Sequence, residues 1–190
     1  MKSTVASEFE TVDLLLSSGA ETRAVDAFSI SCVKFEKQLR RLNANLIFQH
    51  SVFDGKCSRH KDEIRQAILE KRTANHNRFI GGIRKLSGLT AKELIGEQYR
   101  PLVKRIETAH KFRNKILHGQ QTGELLERSD LEENIRYIKN WCELLAEGSG
   151  NRIGYDGFSR GSLNKNGRPD IVLKVDQALG DNWREFIQRI

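Results

Sequence analysis

The chain has 190 residues, with 32 Lys plus Arg against 25 Asp plus Glu and a formal net charge of +7. At about 150 residues per domain, this length fits one domain, or one domain with an appendage. With 38% hydrophobic and 30% charged residues the chain is globular rather than disordered, and two prolines with 7% aromatics argue against a sandwich, a collagen or a Pro-rich linker. The basic excess favours a polyanionic partner (RNA, DNA or an acidic protein) without choosing among them.

The N-terminal stretch MKSTVASEFE carries two glutamates where a signal peptide needs an apolar run. The longest aliphatic run, Leu14-Leu15-Leu16, falls far short of the roughly 20 residues of a membrane span. Three cysteines cannot all pair within one chain, and there is no Cys-x-x-Cys. Cys32 and Cys142 fall on apolar helix faces, so buried reduced thiols, a cytoplasmic location and no membrane partner are expected.

Phe9, Val12 and Leu16 share one face of a first helix, about Thr4 to Ser17. A long helix follows, about Thr22 to Phe53. In it Val25, Phe28, Cys32, Phe35, Leu39, Leu42 and Leu46 repeat at spacings of 3 and 4, the seam of a helical bundle or coiled coil. A third helix runs from about Ser58 to Leu86. Its apolar pattern weakens over 72–78, and Gly81-Gly82 suggests a kink or a close helix approach. Thr90 and Glu93 form a capping box opening a short helix. Pro101 can start the next helix, with Leu102, Ile106, Ala109 and Ile116 as its apolar stripe and Gly119 as its cap. Ser129 and Glu132 form a second capping box, before a helix that Gly148 stops.

Six glycines between 148 and 167 mark a loop. Ile171 to Val175 suits a short strand, and Trp183, Phe186 and Ile187 suit a terminal helix. The expected fold is all-α: an antiparallel bundle of four to five main helices over residues 1–148. Residues 149–190 follow as a Gly-rich extension (loop, short strand, terminal helix) docking on the bundle.

Chemistry concentrates between Tyr99 and Gly119. Arg100, Lys104, Arg105, Lys111, Arg113 and Lys115 face one acid, Glu107, for a local charge of +5. A solvated helix face is the usual meaning of such a run. Here, however, His110, Asn114 and His118 stand at i, i+4 and i+8, with Arg113 beside them and His118 at the helix end, where carbonyls and dipole favour a cation. A histidine with a guanidinium nearby can both move protons and hold a phosphate.

The segment Arg113-Asn114-Lys115-Ile116-Leu117-His118, followed by Gly119, resembles the motif of the HEPN superfamily: Arg, a polar residue, a few variable residues, then His. The likeness is tight over Ala109 to Gly119 and extends as helical architecture over Glu21 to Gly148. It implies an HEPN-like bundle and a metal-independent endoribonuclease needing no cofactor, commonly a toxin or antiphage defence effector. Implied partners are RNA, a second copy of the chain in a homodimer, and an antitoxin protein. By the same resemblance His118 is the acid/base group, Arg113 holds the scissile phosphate and Asn114 orients His118 or the phosphate. Lys104, Arg105, His110, Lys111 and Lys115 are the expected RNA contacts. Some family members are inactive RNA-binding or assembly modules, which is the alternative function. A third class, a structural coiled-coil partner using the Val25–Leu46 seam, leaves the 99–119 charge unexplained.

Other candidates are plainer. His50 and His60 flank a turn and are expected to be exposed. His76, with Arg72, Asn75 and Arg78, suits a solvated kink more than an RNA cleft. Tyr155, Asp156 and Arg160 suit a connector more than a cover for the site.

Overall fold

The computed structural model describes residues 4–55, 58–69, 75–119, 126–159, 162–180 and 182–190. Among them all regular structure is helical: α1 (Thr4–Ser17), α2 (Arg23–Phe48), α3 (Ser58–Leu69), α4 (His76–Ser87), α5 (Ala91–Ile95), α6 (Tyr99–Leu117), α7 (Arg128–Ile153), α8 (Pro169–Leu179) and α9 (Trp183–Arg189). Two single 3-10 turns, Ser51–Phe53 and Gly96–Gln98, precede α3 and α6 respectively. No helix among the described residues is long and apolar enough to cross a membrane. The chain divides into two compact units, Met1–Glu36 with Ile95–Leu144, and Lys37–Leu94 with Leu145–Ile190. Residues 149–190 thus fall in one unit with 37–94.

The first unit is built on an aromatic centre. The Phe35 ring lies 6.0 Å from Trp141 and 5.1 Å from His110, and Tyr99 lies 5.8 Å from Trp141. Around it α1 buries Val5, Phe9 and Val12, α6 buries Leu102, Ile106 and Ala109, and α7 buries Leu131, Ile135 and Ile138. Ion pairs from Lys34 to Glu8 (3.3 Å) and from Lys139 to Asp13 (3.1 Å) hold α1 in place. α6 starts two residues before Pro101, which still stands in the first turn, where its missing N–H costs nothing. The cap of α7 is shifted from Ser129 and Glu132: the Asp130 carboxylate accepts the Glu127 N–H at 2.9 Å, and Glu132 instead accepts from Arg128 at 2.6 Å.

In the second unit the seam of α2 becomes buried on every face. From Leu42 to His50 each residue is buried, including Asn43, Asn45 and Gln49. Asn43 donates to the Leu39 and Phe79 carbonyls, both at 2.9 Å, and the other amides hold loop carbonyls that no helix or strand would otherwise satisfy. Asn45 and Gln49 both donate to the Asn164 carbonyl, at 3.3 and 2.9 Å, and Gln38 donates to that of Asp156 at 3.1 Å. Asn166 donates to Asn45 at 2.8 Å and to the Ile153 carbonyl at 2.9 Å. The Gly-rich stretch is therefore a hydrogen-bonded layer against α2. Since Phe28, Cys32, Phe35, Leu39, Leu42 and Leu46 are all 0% exposed, the seam is not available to a coiled-coil partner.

Four further expectations need correction. Ile171 to Val175 is not a strand. Pro169 presets the first turn of α8, and Ile171, Val175 and Leu179 are buried at helical spacing, which outweighs the β-branched local preference. The long second helix ends at Phe48; His50 then caps a 3-10 turn, its Nδ1 accepting the Val52 N–H at 3.0 Å. The third predicted helix is two: Asn75 caps α4 by accepting the Arg78 N–H at 3.1 Å. Gly148 does not end α7, which runs to Ile153; a Cβ at 148 would collide with the Leu94 carbonyl oxygen, so this glycine serves close approach. The Thr90–Glu93 box is present, with the Glu93 carboxylate accepting the Thr90 N–H at 2.7 Å and Thr90 accepting the Glu93 N–H at 3.2 Å.

Candidate nucleic-acid interface

The motif occupies the last turn of α6 and the two residues after it. Ala109 and His110 are buried, Phe112 and Arg113 are half-buried, and Asn114 and His118 are exposed. The helix ends because Gly119 takes a left-handed conformation, φ 62°, and donates to the Ile116 carbonyl at 3.1 Å, while the His118 N–H reaches Asn114 at 3.1 Å. His118 is thereby held at the helix terminus in solvent. Lys104, Arg105 and Lys111 are exposed and Lys115 is half-buried, so the cationic face persists.

Arg113 is the best-anchored group of the motif. One guanidinium nitrogen donates to Asn114 Oδ1 at 3.1 Å, and the other lies 3.8 Å from Glu36 Oε1. Its Nε is buried and has no hydrogen-bond partner among the described residues. The neighbouring Cys32 thiol is pushed up to about 12 by burial, which the positive charge of Arg113 partly opposes. Asn114 therefore orients Arg113, a contact other than the two expected of it, to His118 or to the phosphate. Glu36 was not singled out from the sequence; its position directly after the seam residue Phe35, flanking the apolar stripe, is the signal that a carboxylate there faces a neighbouring helix.

His110 departs from expectation. It is 8% exposed and its ring is tilted against Phe35 at 5.1 Å, so it belongs to the core and not to an RNA-contacting surface. The i, i+4, i+8 stripe drifts by about 40° per step on a helix of 3.6 residues per turn, which carries it from core at 110 to solvent at 118. His50 is also buried, its Nε2 donating to the Gly180 carbonyl at 2.8 Å. His60 is half-buried, 6.1 Å from Phe53. Tyr155 is buried, and Asp156 caps its own loop by accepting the Phe158 and Ser159 N–H groups. Cys32 and Cys142 are buried free thiols, as expected; Cys57, Arg72 and Arg160 lie outside the described residues.

No protein-family model matches the chain, and no match is found among curated proteins or solved structures.

Proposed function

We propose that the chain is a metal-independent endoribonuclease of the HEPN type. The observation that carries this reading is an anchored guanidinium, Arg113, five residues before an exposed helix-terminal His118, on a helix whose solvent face is basic. His118 takes the proton of the ribose 2′-hydroxyl. The 2′-oxygen attacks phosphorus, the bond to the 5′-oxygen breaks, and the products are a 2′,3′-cyclic phosphate and a 5′-hydroxyl. Arg113 stabilises the charge that develops on the phosphoryl oxygens.

The leaving oxygen needs a proton from the side opposite the base, and one His118 does not serve both positions. With His110 in the core, the second donor is the His118 of another copy, which makes the active species a homodimer. A toxin or defence role, with an antitoxin partner, follows from the family resemblance.

Incubation of total RNA with the purified chain, with and without EDTA, tests the reading. Cleavage is expected in both, and is expected to vanish in His118→Ala and Arg113→Ala. His118 is exposed, so its loss should change stability by about 0.5 kcal/mol or less. Cleavage that survives both substitutions would sink the assignment, and activity from a sedimenting monomer would sink the shared site. One observation favours the second reading, an RNA-binding module that does not cut: Arg113 is already engaged by Glu36 and Asn114. Intact RNA with salt-sensitive binding would decide for it.

A further inference from the structure

A second feature stands beside the motif on α6. Arg105 and Phe112 on α6, with Asp130, Glu133, Asn134 and Tyr137 at the start of α7, line a cavity of about 190 Å³. Pockets for drug-sized ligands begin at roughly 300 Å³, so this one suits a single ring system. Its lining is neither apolar core nor simple ion-pair surface. It combines two aromatic rings, a guanidinium, two carboxylates and an amide.

The polar groups are held in place. The Tyr137 hydroxyl donates to Glu133 Oε1 at 2.6 Å, and that bond pushes the phenol up. The Arg105 guanidinium lies 5.1 Å from the centre of the Tyr137 ring. The Asn134 amide donates to the Asp130 carbonyl at 2.8 Å, and the Asp130 carboxylate caps α7 through the Glu127 N–H. Each ionised carboxylate accepts at about four lone-pair sites, so these bonds leave acceptor capacity on both.

We propose that this cavity is a nucleobase subsite selective for guanine. The inference rests on the RNA reading of α6 given above. Guanine presents adjacent N1–H and N2–H donors, which a carboxylate such as Glu133 accepts as a pair, and O6 and N7 acceptors, which suit a guanidinium. Adenine and cytosine set a ring acceptor beside their amino group, which a carboxylate repels, and uracil offers one donor between two acceptors. Phe112 and Tyr137 supply ring faces of the kind on which unpaired RNA bases stack. Phe112 directly precedes Arg113, and at 1.5 Å per residue it lies about 9 Å along the helix from His118, within reach of adjacent nucleotides.

Titration of the wild-type chain with GMP, AMP, CMP and UMP tests the subsite. All four share one phosphate, and none contains a bond the enzyme would cut, so the comparison isolates the base. GMP is expected to bind at least about 10-fold more tightly than each of the others. Glu133→Gln should bring GMP to the level of AMP, with helical circular dichroism unchanged. Thr108→Trp, which fills the cavity from an exposed lining position, should do the same. Equal binding of the four by the wild type, or a preference surviving both substitutions, overturns the subsite. A chain that prefers GMP but cuts no RNA would sink the nuclease reading and leave the subsite standing; one that cuts RNA without base preference would do the reverse.

Discussion

Glu36→Gln removes the counter-ion of Arg113 while keeping the shape of the side chain, and its two effects have opposite signs. The charged groups stand 3.8 Å apart, with side-chain exposures of 24% for Arg113 and 27% for Glu36. Unit charges about 4 Å apart gain roughly 4 kcal/mol at an effective dielectric of about 20. Lost hydration and the ordering of two long side chains offset most of that. The distance is also too long for a charge-assisted hydrogen bond. A net contribution of about 1 kcal/mol remains. Glu36→Gln should therefore lower the melting temperature by about 2–4 °C for a chain of this size. On the RNA side, Glu36 competes with phosphate for the same guanidinium. Released from that competition, Arg113 should bind RNA about 5-fold more tightly, the equivalent of about 1 kcal/mol. Arg113→Ala should weaken binding. The assay is RNA titration at fixed salt in a His118→Ala background, which prevents cutting, beside thermal denaturation of each variant. If Glu36→Gln weakens RNA binding as Arg113→Ala does, the competition argument is refuted and Glu36 is an orienting residue.

Gly148→Ala should destabilise the fold by about 1–3 kcal/mol in urea denaturation, because the added methyl meets the Leu94 backbone carbonyl, which cannot move aside as a side chain would. Asn75→Ala removes the cap of α4 and should cost about 1 kcal/mol, read as faster amide exchange in its first turn. Burial raises the Cys32 thiol from 9.0 to about 12 and raises Cys142 as well. The unfolded thiols ionise first, so this contribution is complete below about pH 9 and is lost as pH rises toward 12. The urea midpoint should fall across that window, less steeply in Cys32→Ala; identical slopes would contradict the burial argument.

Much of the candidate site was legible in the sequence because it is local. Arg113, Asn114 and His118 fall within six residues, and Gly119 marks the helix end by its own backbone preference. Glu36 and Arg113 are 77 positions apart, and no local pattern pairs them. His110 shows the same limit from the other side. Periodicity placed it on a polar stripe with Asn114 and His118, yet the ring of Phe35, on another helix, claims it for the core.

The apolar spacing of 3 and 4 in α2, the box at Thr90 and Glu93, and the glycine after His118 each determine a helix or its boundary through contacts within a few residues. By itself the sequence therefore determined a mainly helical chain with a basic helix ending in the motif. Tertiary structure alone decided which polar residues are buried and why. Asn45 and Gln49 look like surface residues until Asn164 and Asn166, more than a hundred residues later, bring backbone and side-chain groups that need partners. Ile171 to Val175 was equally open locally, because a β-branched run fits a strand as well as a buried helix face. Only the burial of Ile171, Val175 and Leu179 together, four residues apart, makes it a helix.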